Sequence, residues 1–70
     1  MDQRKHYNRA VGIAEFILEG HSIKETSEEF RVSKDLVCRD LEFLAGYGYG
    51  EELRNNRILY LKAKKKIHNK

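Results

Sequence analysis

Proline and tryptophan are absent from this 70-residue chain, cysteine and methionine occur once each, and there are only three histidines. Without proline, nothing in the backbone chemistry interrupts an amphipathic stretch that would otherwise be helical. The single cysteine, Cys38, has no partner for an internal disulfide, which fits a reducing compartment. No apolar run approaches the length that crosses a bilayer, and the opening MDQRKHYNRA has no apolar run behind its basic residues. Neither a membrane span nor a secretory leader is therefore expected, and the location expected is cytoplasmic. His6, His21 and His68 have no metal-ligand spacing with one another or with Cys38. The acidic residues recur as helix faces rather than as a converging pair. No metal, no cofactor and no enzymatic activity are expected.

Forty per cent of the residues are hydrophobic, enough for one small core. A chain of this length buries only about 60% of the surface it exposes when unfolded, so residues 1–70 are read as one domain of modest stability. The net charge of +3 is unevenly spread: residues 15–30 carry −4 and residues 57–70 carry +6, while residues 31–44 balance. Basic ends flanking an acidic middle suit a nucleic-acid face with the acidic block turned away from it, although a solvated lysine tail has the same composition.

SIKETSEEFRVSKDLVCRDLEFL, residues 22–44, holds two short amphipathic helices in tandem. Ser22 and Glu25 form a capping box, and Ile23, Ser27 and Phe30, with Thr26 beside them, share the face that follows. Ser33 caps a second helix whose buried stripe is Val37, Leu41 and Leu44. Helices of this length joined by three or four residues have the geometry of a helix-turn-helix, whose second helix enters the DNA major groove. A first helix is expected from Arg4 to Glu19, ended by Gly20, the second from Ile23 to Phe30 and the third from Lys34 to Leu44. The core expected is Val11, Ala14, Ile17, Leu18, Ile23, Phe30, Val32, Val37, Leu41 and Leu44, with Ala10 and Ile13 alongside. AGYGYGEE, residues 45–52, is a connector: it follows no strand and lacks the lysine and hydroxyl of a nucleotide loop. Tyr47 and Tyr49 are expected to pack over the end of helix three, the alternative being stacking on a base or sugar.

EELRNNRILYLKAKKKI, residues 51–67, admits two readings. As a helix it has acidic residues in its first turn and lysines in its last, with Leu53, Tyr60, Ala63 and Ile67 on one face. As a hairpin wing over residues 51–63 it would turn at Asn55-Asn56. Ile58 to Leu61 do not alternate as a strand should, which favours the helix. The architecture expected is all-α: a three-helix core containing the helix-turn-helix, followed by a basic C-terminal helix.

On this reading Ser33, Lys34, Asp35, Cys38, Arg39 and Glu42 face outward from the third helix, with Leu36 at the edge. Lys34, Leu36, Cys38 and Arg39 are the candidates for the major groove; Arg39 suits a bidentate guanine contact and Leu36 a thymine methyl. An Asp35–Arg39 ion pair at i, i+4 is the plainer reading of the arginine. Arg31, Ser33 and the cluster Lys62, Lys64, Lys65 and Lys66 are the candidates for phosphates. Cys38 beside Arg39 also admits a redox-sensitive thiol, the plainer reading being a small half-buried residue.

VSKDLVCRDL, residues 32–41, resembles the helix-turn-helix of the stage III sporulation protein D family of bacterial transcription regulators. EFILEG at 15–20, EEF at 28–30, and the EEL opening with LKAKKKIH at 61–68 extend the likeness over most of residues 10–68. The short VSxxxVxRDL element also occurs in the N-terminal winged domains of the DeoR family. The resemblance implies a cytoplasmic bacterial protein that binds duplex DNA and regulates transcription, with Ser33–Leu44 as recognition helix and a further basic contact near Lys62–Lys66. The chain departs from the family at Arg31, where a turn glycine is usual, at Ser27 for an alanine and at Leu36 for a threonine, and it has no Arg-Gly-Gly element. The partner expected is duplex DNA, with RNA polymerase a further candidate, and the protein itself a monomer or weak dimer. The alternative function is a protein-interaction module docking on the transcription machinery or a larger regulator, which the balanced charge of residues 31–44 favours.

Overall fold

Four helices make up the domain in a computed structural model that describes residues 3–68. They are α1 (Gln3–Leu18), α2 (Ile23–Phe30), α3 (Lys34–Ala45) and α4 (Gly50–His68). The segment open to two readings is helical throughout, and the described residues contain no strand, so there is no wing.

The caps set the breaks. The Ser22 Oγ accepts from the Glu25 amide at 3.0 Å, and the Glu25 carboxylate accepts from the Ser22 amide at 3.0 Å, completing the capping box. The Ser33 Oγ accepts from the Leu36 amide at 3.1 Å and starts α3. Between them α2 ends in a Schellman motif: the Arg31 amide donates to the Glu28 carbonyl and the Val32 amide to the Ser27 carbonyl. That motif puts Arg31 in the left-handed region, at φ 56° and ψ 47°, the one described non-glycine residue with positive φ. Three residues thus turn the chain from α2 into α3.

The buried core is Ala10, Ile13, Ala14 and Ile17 of α1, Val37, Leu41 and Leu44 of α3, and Ala63 of α4. Its α1 face runs i, i+3, i+4, i+7 from Ala10, so Ala10 and Ile13 are central rather than flanking. Val11, Ile23, Phe30 and Val32 are partly buried against this cluster instead of inside it. Leu18 is also only half-buried, because α1 reaches its last turn where the end of α4 passes and its side chain lines a surface recess there. The last helix is not an appendage. It packs on α1 and α3 and brings Leu59, Tyr60 and Ile67 against the core, while Ile58 and Leu61 point outward at 44% and 61% exposure.

Of the four buried polar residues, Thr26, Ser27, Asp40 and Asn56, the last two tie separate elements together. Asp40 is wholly buried, and both its oxygens are occupied: Arg9 Nε donates at 2.6 Å and Arg9 Nη2 at 3.1 Å, while His6 Nε2 lies 2.8 Å away. A carboxylate only accepts, so that imidazole nitrogen carries its hydrogen toward Asp40. His6 also stacks on Phe43, with ring centroids 3.8 Å apart. Asn56 accepts from the Tyr7 hydroxyl at 3.1 Å and donates to the Tyr47 carbonyl at 3.0 Å. Tyr7 stacks on Tyr47 at 4.4 Å. These contacts fix α1 to α3 and to the connector at set positions, which a purely apolar interface would not specify so tightly.

Candidate nucleic-acid interface

Two features position α3. Its apolar face, Val37, Leu41 and Leu44, is buried, and the Asp40 pair locks the helix to α1. What remains outside is the opposite face, where Ser33, Lys34, Asp35, Cys38, Arg39 and Glu42 are all exposed and Leu36 is half-buried at the edge. Every α3 residue expected to face outward does so. Cys38 is exposed rather than half-buried, since it follows Val37 around the helix away from the core. No ion pair joins Asp35 to Arg39, and among the described residues no carboxylate lies within 4 Å of the Arg39 guanidinium.

The connector divides its two tyrosines. Tyr47 packs between Tyr7 and Phe43, as expected. Tyr49 does not pack over α3: it is 93% exposed, because Gly48 at φ 95° and Gly50 at φ 59° turn the chain outward on either side of it. Gly48 also cannot be replaced cheaply, since at φ 95° an L side chain is strained, whereas the exposed Glu52 side chain that a Cβ would meet can move aside.

Arg31 is exposed beside the α3 N-terminus. Of the C-terminal cluster, Lys62, Lys65 and Lys66 are exposed and line a recess with Leu18. Lys64 is half-buried and holds its ammonium 5.8 Å from the Tyr60 ring centroid, a cation–π contact one turn back on the same helix. Lys66 also reaches a second groove, of about 660 Å³, where the N-terminal ends of α2 and α3 meet the last turn of α4. Lys34, Asp35 and Cys38 line its α3 side, so the basic end of the chain and the outward face of α3 share one surface.

His21 is held by ring stacking on Phe16 at 3.8 Å and by Glu19 and Glu25 at 3.8 and 3.4 Å. Among the described residues no three of His, Cys, Asp or Glu come together as a metal site would require. Among them, too, no helix is long and apolar enough to cross a membrane.

This is an all-α domain built around two helices joined by a three-residue turn. Comparison with protein-family profiles, curated proteins and solved structures finds no match.

Proposed function

We propose that the domain is a sequence-specific duplex-DNA-binding regulator of transcription that inserts the outward face of α3 in the major groove. The observation that carries this reading is the state of that face. After a capped three-residue turn, α3 presents Lys34, Cys38 and Arg39 to solvent, with the Arg39 guanidinium held by no carboxylate among the described residues. A bidentate arginine suits a guanine edge, and the N-terminal half of the second helix is the part that reads bases in this arrangement. Leu36 sits at the rim, where it meets a thymine methyl. Arg31, the Ser33 hydroxyl and the exposed lysines Lys62, Lys65 and Lys66 hold phosphates on either side. The resemblance of most of residues 10–68 to the stage III sporulation protein D family is a further support for a bacterial regulator.

The test is the salt dependence of duplex binding, read by fluorescence anisotropy. Counterion release makes log K fall linearly with log salt, with a slope near −0.9 per phosphate contacted. A steep slope supports the reading, and an absence of duplex binding at low salt sinks it. A protein-interaction module is the second reading, favoured by the exposure of Ile58 and Leu61 on α4. Association with a protein partner that is indifferent to salt would select it.

A further inference from the structure

Five lysines that the sequence scatters over three helices form one band on the surface. Lys24, at the start of α2, lines the same groove as Lys34 and Lys66, and Lys66 also lines the neighbouring recess with Lys62 and Lys65. None of the five makes an ion pair with a described residue. One carboxylate, Asp35, shares the first groove, and His21 there is already engaged by Glu19 and Glu25. Ile23 and Ile67, both half-buried, add an apolar part to the lining of the first groove. Like charges brought together without partners repel one another, and an anion bound between them removes that cost.

Building on the DNA-binding reading above, we propose that these two grooves are consecutive phosphate seats for one strand of the duplex. Lys24 and Lys66 hold the first phosphate beside the α3 N-terminus, and Lys62 and Lys65 hold the next, with Lys66 shared at the boundary. Lys24 is the new member of the interface. It stands in the acidic half of the sequence, and only the fold brings it to the basic end. Lys64, turned to Tyr60, stands off the track. The arrangement makes α4 part of the reading head: its last turns fix where the backbone lies relative to Lys34 and Arg39.

The geometry predicts a pattern of additivity that a diffuse basic surface would not give. Lys24→Gln and Lys66→Gln each lose the first phosphate, so each lowers the salt slope by about 0.9, and the double variant loses little more than either single one. Lys24→Gln combined with Lys62→Gln loses two phosphates and lowers the slope by about 1.8. Between 50 and 200 mM salt, each phosphate lost removes about 3.5-fold from the fall in affinity. The experiment is anisotropy titration of a labelled duplex with these variants, together with an amide-shift titration of the wild-type chain by inorganic tripolyphosphate. Wild-type binding that Lys24→Gln leaves unchanged in affinity and slope would overturn the proposal while leaving the DNA reading intact. Where the wild-type chain holds no duplex, that reading fails, and the tripolyphosphate titration decides the grooves alone. Shifts confined to the neighbourhoods of Lys24, Lys62, Lys65 and Lys66 then support phosphate seats, and their absence overturns them.

Discussion

Replacing Arg9 by methionine removes three things at once from the centre of the α1–α3 interface: a charge, two hydrogen bonds and the partner of a fully buried carboxylate. Asp40 is left with His6 alone, and its Oδ2 with nothing. Breaking a fully buried ion pair by removing one partner costs about 3–5 kcal/mol. Arg9 is 39% exposed, however, so water can occupy part of the space it vacates, and about 2–3 kcal/mol is the better expectation. Seventy residues at 0.05–0.15 kcal/mol each give a total stability of roughly 4–10 kcal/mol, so the loss is a large fraction of it. The midpoint of thermal unfolding should fall by about 10–20 °C, and urea unfolding followed by circular dichroism should shift in midpoint with unchanged slope. The hydrogen bond to Asp40 raises the Arg9 pKa above its ordinary value; burial opposes that rise and the charge of Asp40 adds to it. For a base whose folded pKa is raised, the stabilisation is complete below the ordinary value and is lost only as pH rises through the raised one. Titration from neutral pH to about pH 10 should therefore leave the arginine's contribution intact. The double change Arg9→Met with Asp40→Leu should recover most of the loss, because no buried charge is left unpaired. A loss below about 0.5 kcal/mol for Arg9→Met, the range of an ordinary surface substitution, would refute the argument. So would a double variant no more stable than the single one.

Arg31→Gly should act in opposite directions on folding and binding. Relief of the left-handed conformation should stabilise the fold by about 0.5–1 kcal/mol, while loss of the charge weakens duplex binding; denaturation and anisotropy on one preparation check both. Ser22→Ala and Ser33→Ala should each cost about 1 kcal/mol by urea unfolding, since each removes the acceptor of a helix-start amide. Asn56→Ala should cost about 1–3 kcal/mol, because the Tyr7 hydroxyl and the Tyr47 carbonyl both lose their partner; a thermal melt unchanged within error would show that water replaces the amide freely. Arg39→Ala should leave stability unchanged and weaken binding to a preferred sequence by about 1–3 kcal/mol, with less effect on unrelated duplexes.

Helix ends that are written in local chemistry are legible along the chain. The Ser22–Glu25 box and the Ser33 cap place the starts of α2 and α3 at the residues observed, because each cap acts within four residues of chain. The outward face of α3 follows from the same periodicity. The buried polar pairs are harder to see, since their partners are far apart: Asp40 is 31 residues from Arg9, and Asn56 is 49 from Tyr7. A signal exists all the same. Val37, Asp40, Leu41 and Leu44 stand at i, i+3, i+4 and i+7, so Asp40 completes the buried face of α3 and needs a partner from another helix. Reading the acidic residues as surface faces misses it. Asn56 likewise interrupts the stripe running from Leu53 to Ile67. The α1 core face is displaced by about one position from the one periodicity suggests, because apolar residues surround much of that helix and only packing against α3 and α4 chooses among them. The meeting of Lys24, Lys34 and Lys66 depends on how three helices pack, and nothing local in the chain encodes it.

Selection of binding sites from a random pool of duplex DNA, carried out at two salt concentrations with the wild-type chain and with Arg39→Ala, tests the proposed function most directly. The account predicts enrichment of one short motif by the wild-type chain at both salts, and loss of that enrichment with Arg39→Ala while some retention of DNA persists at low salt. A pool that shows no retention at low salt, or a motif enriched equally by both chains, would contradict it.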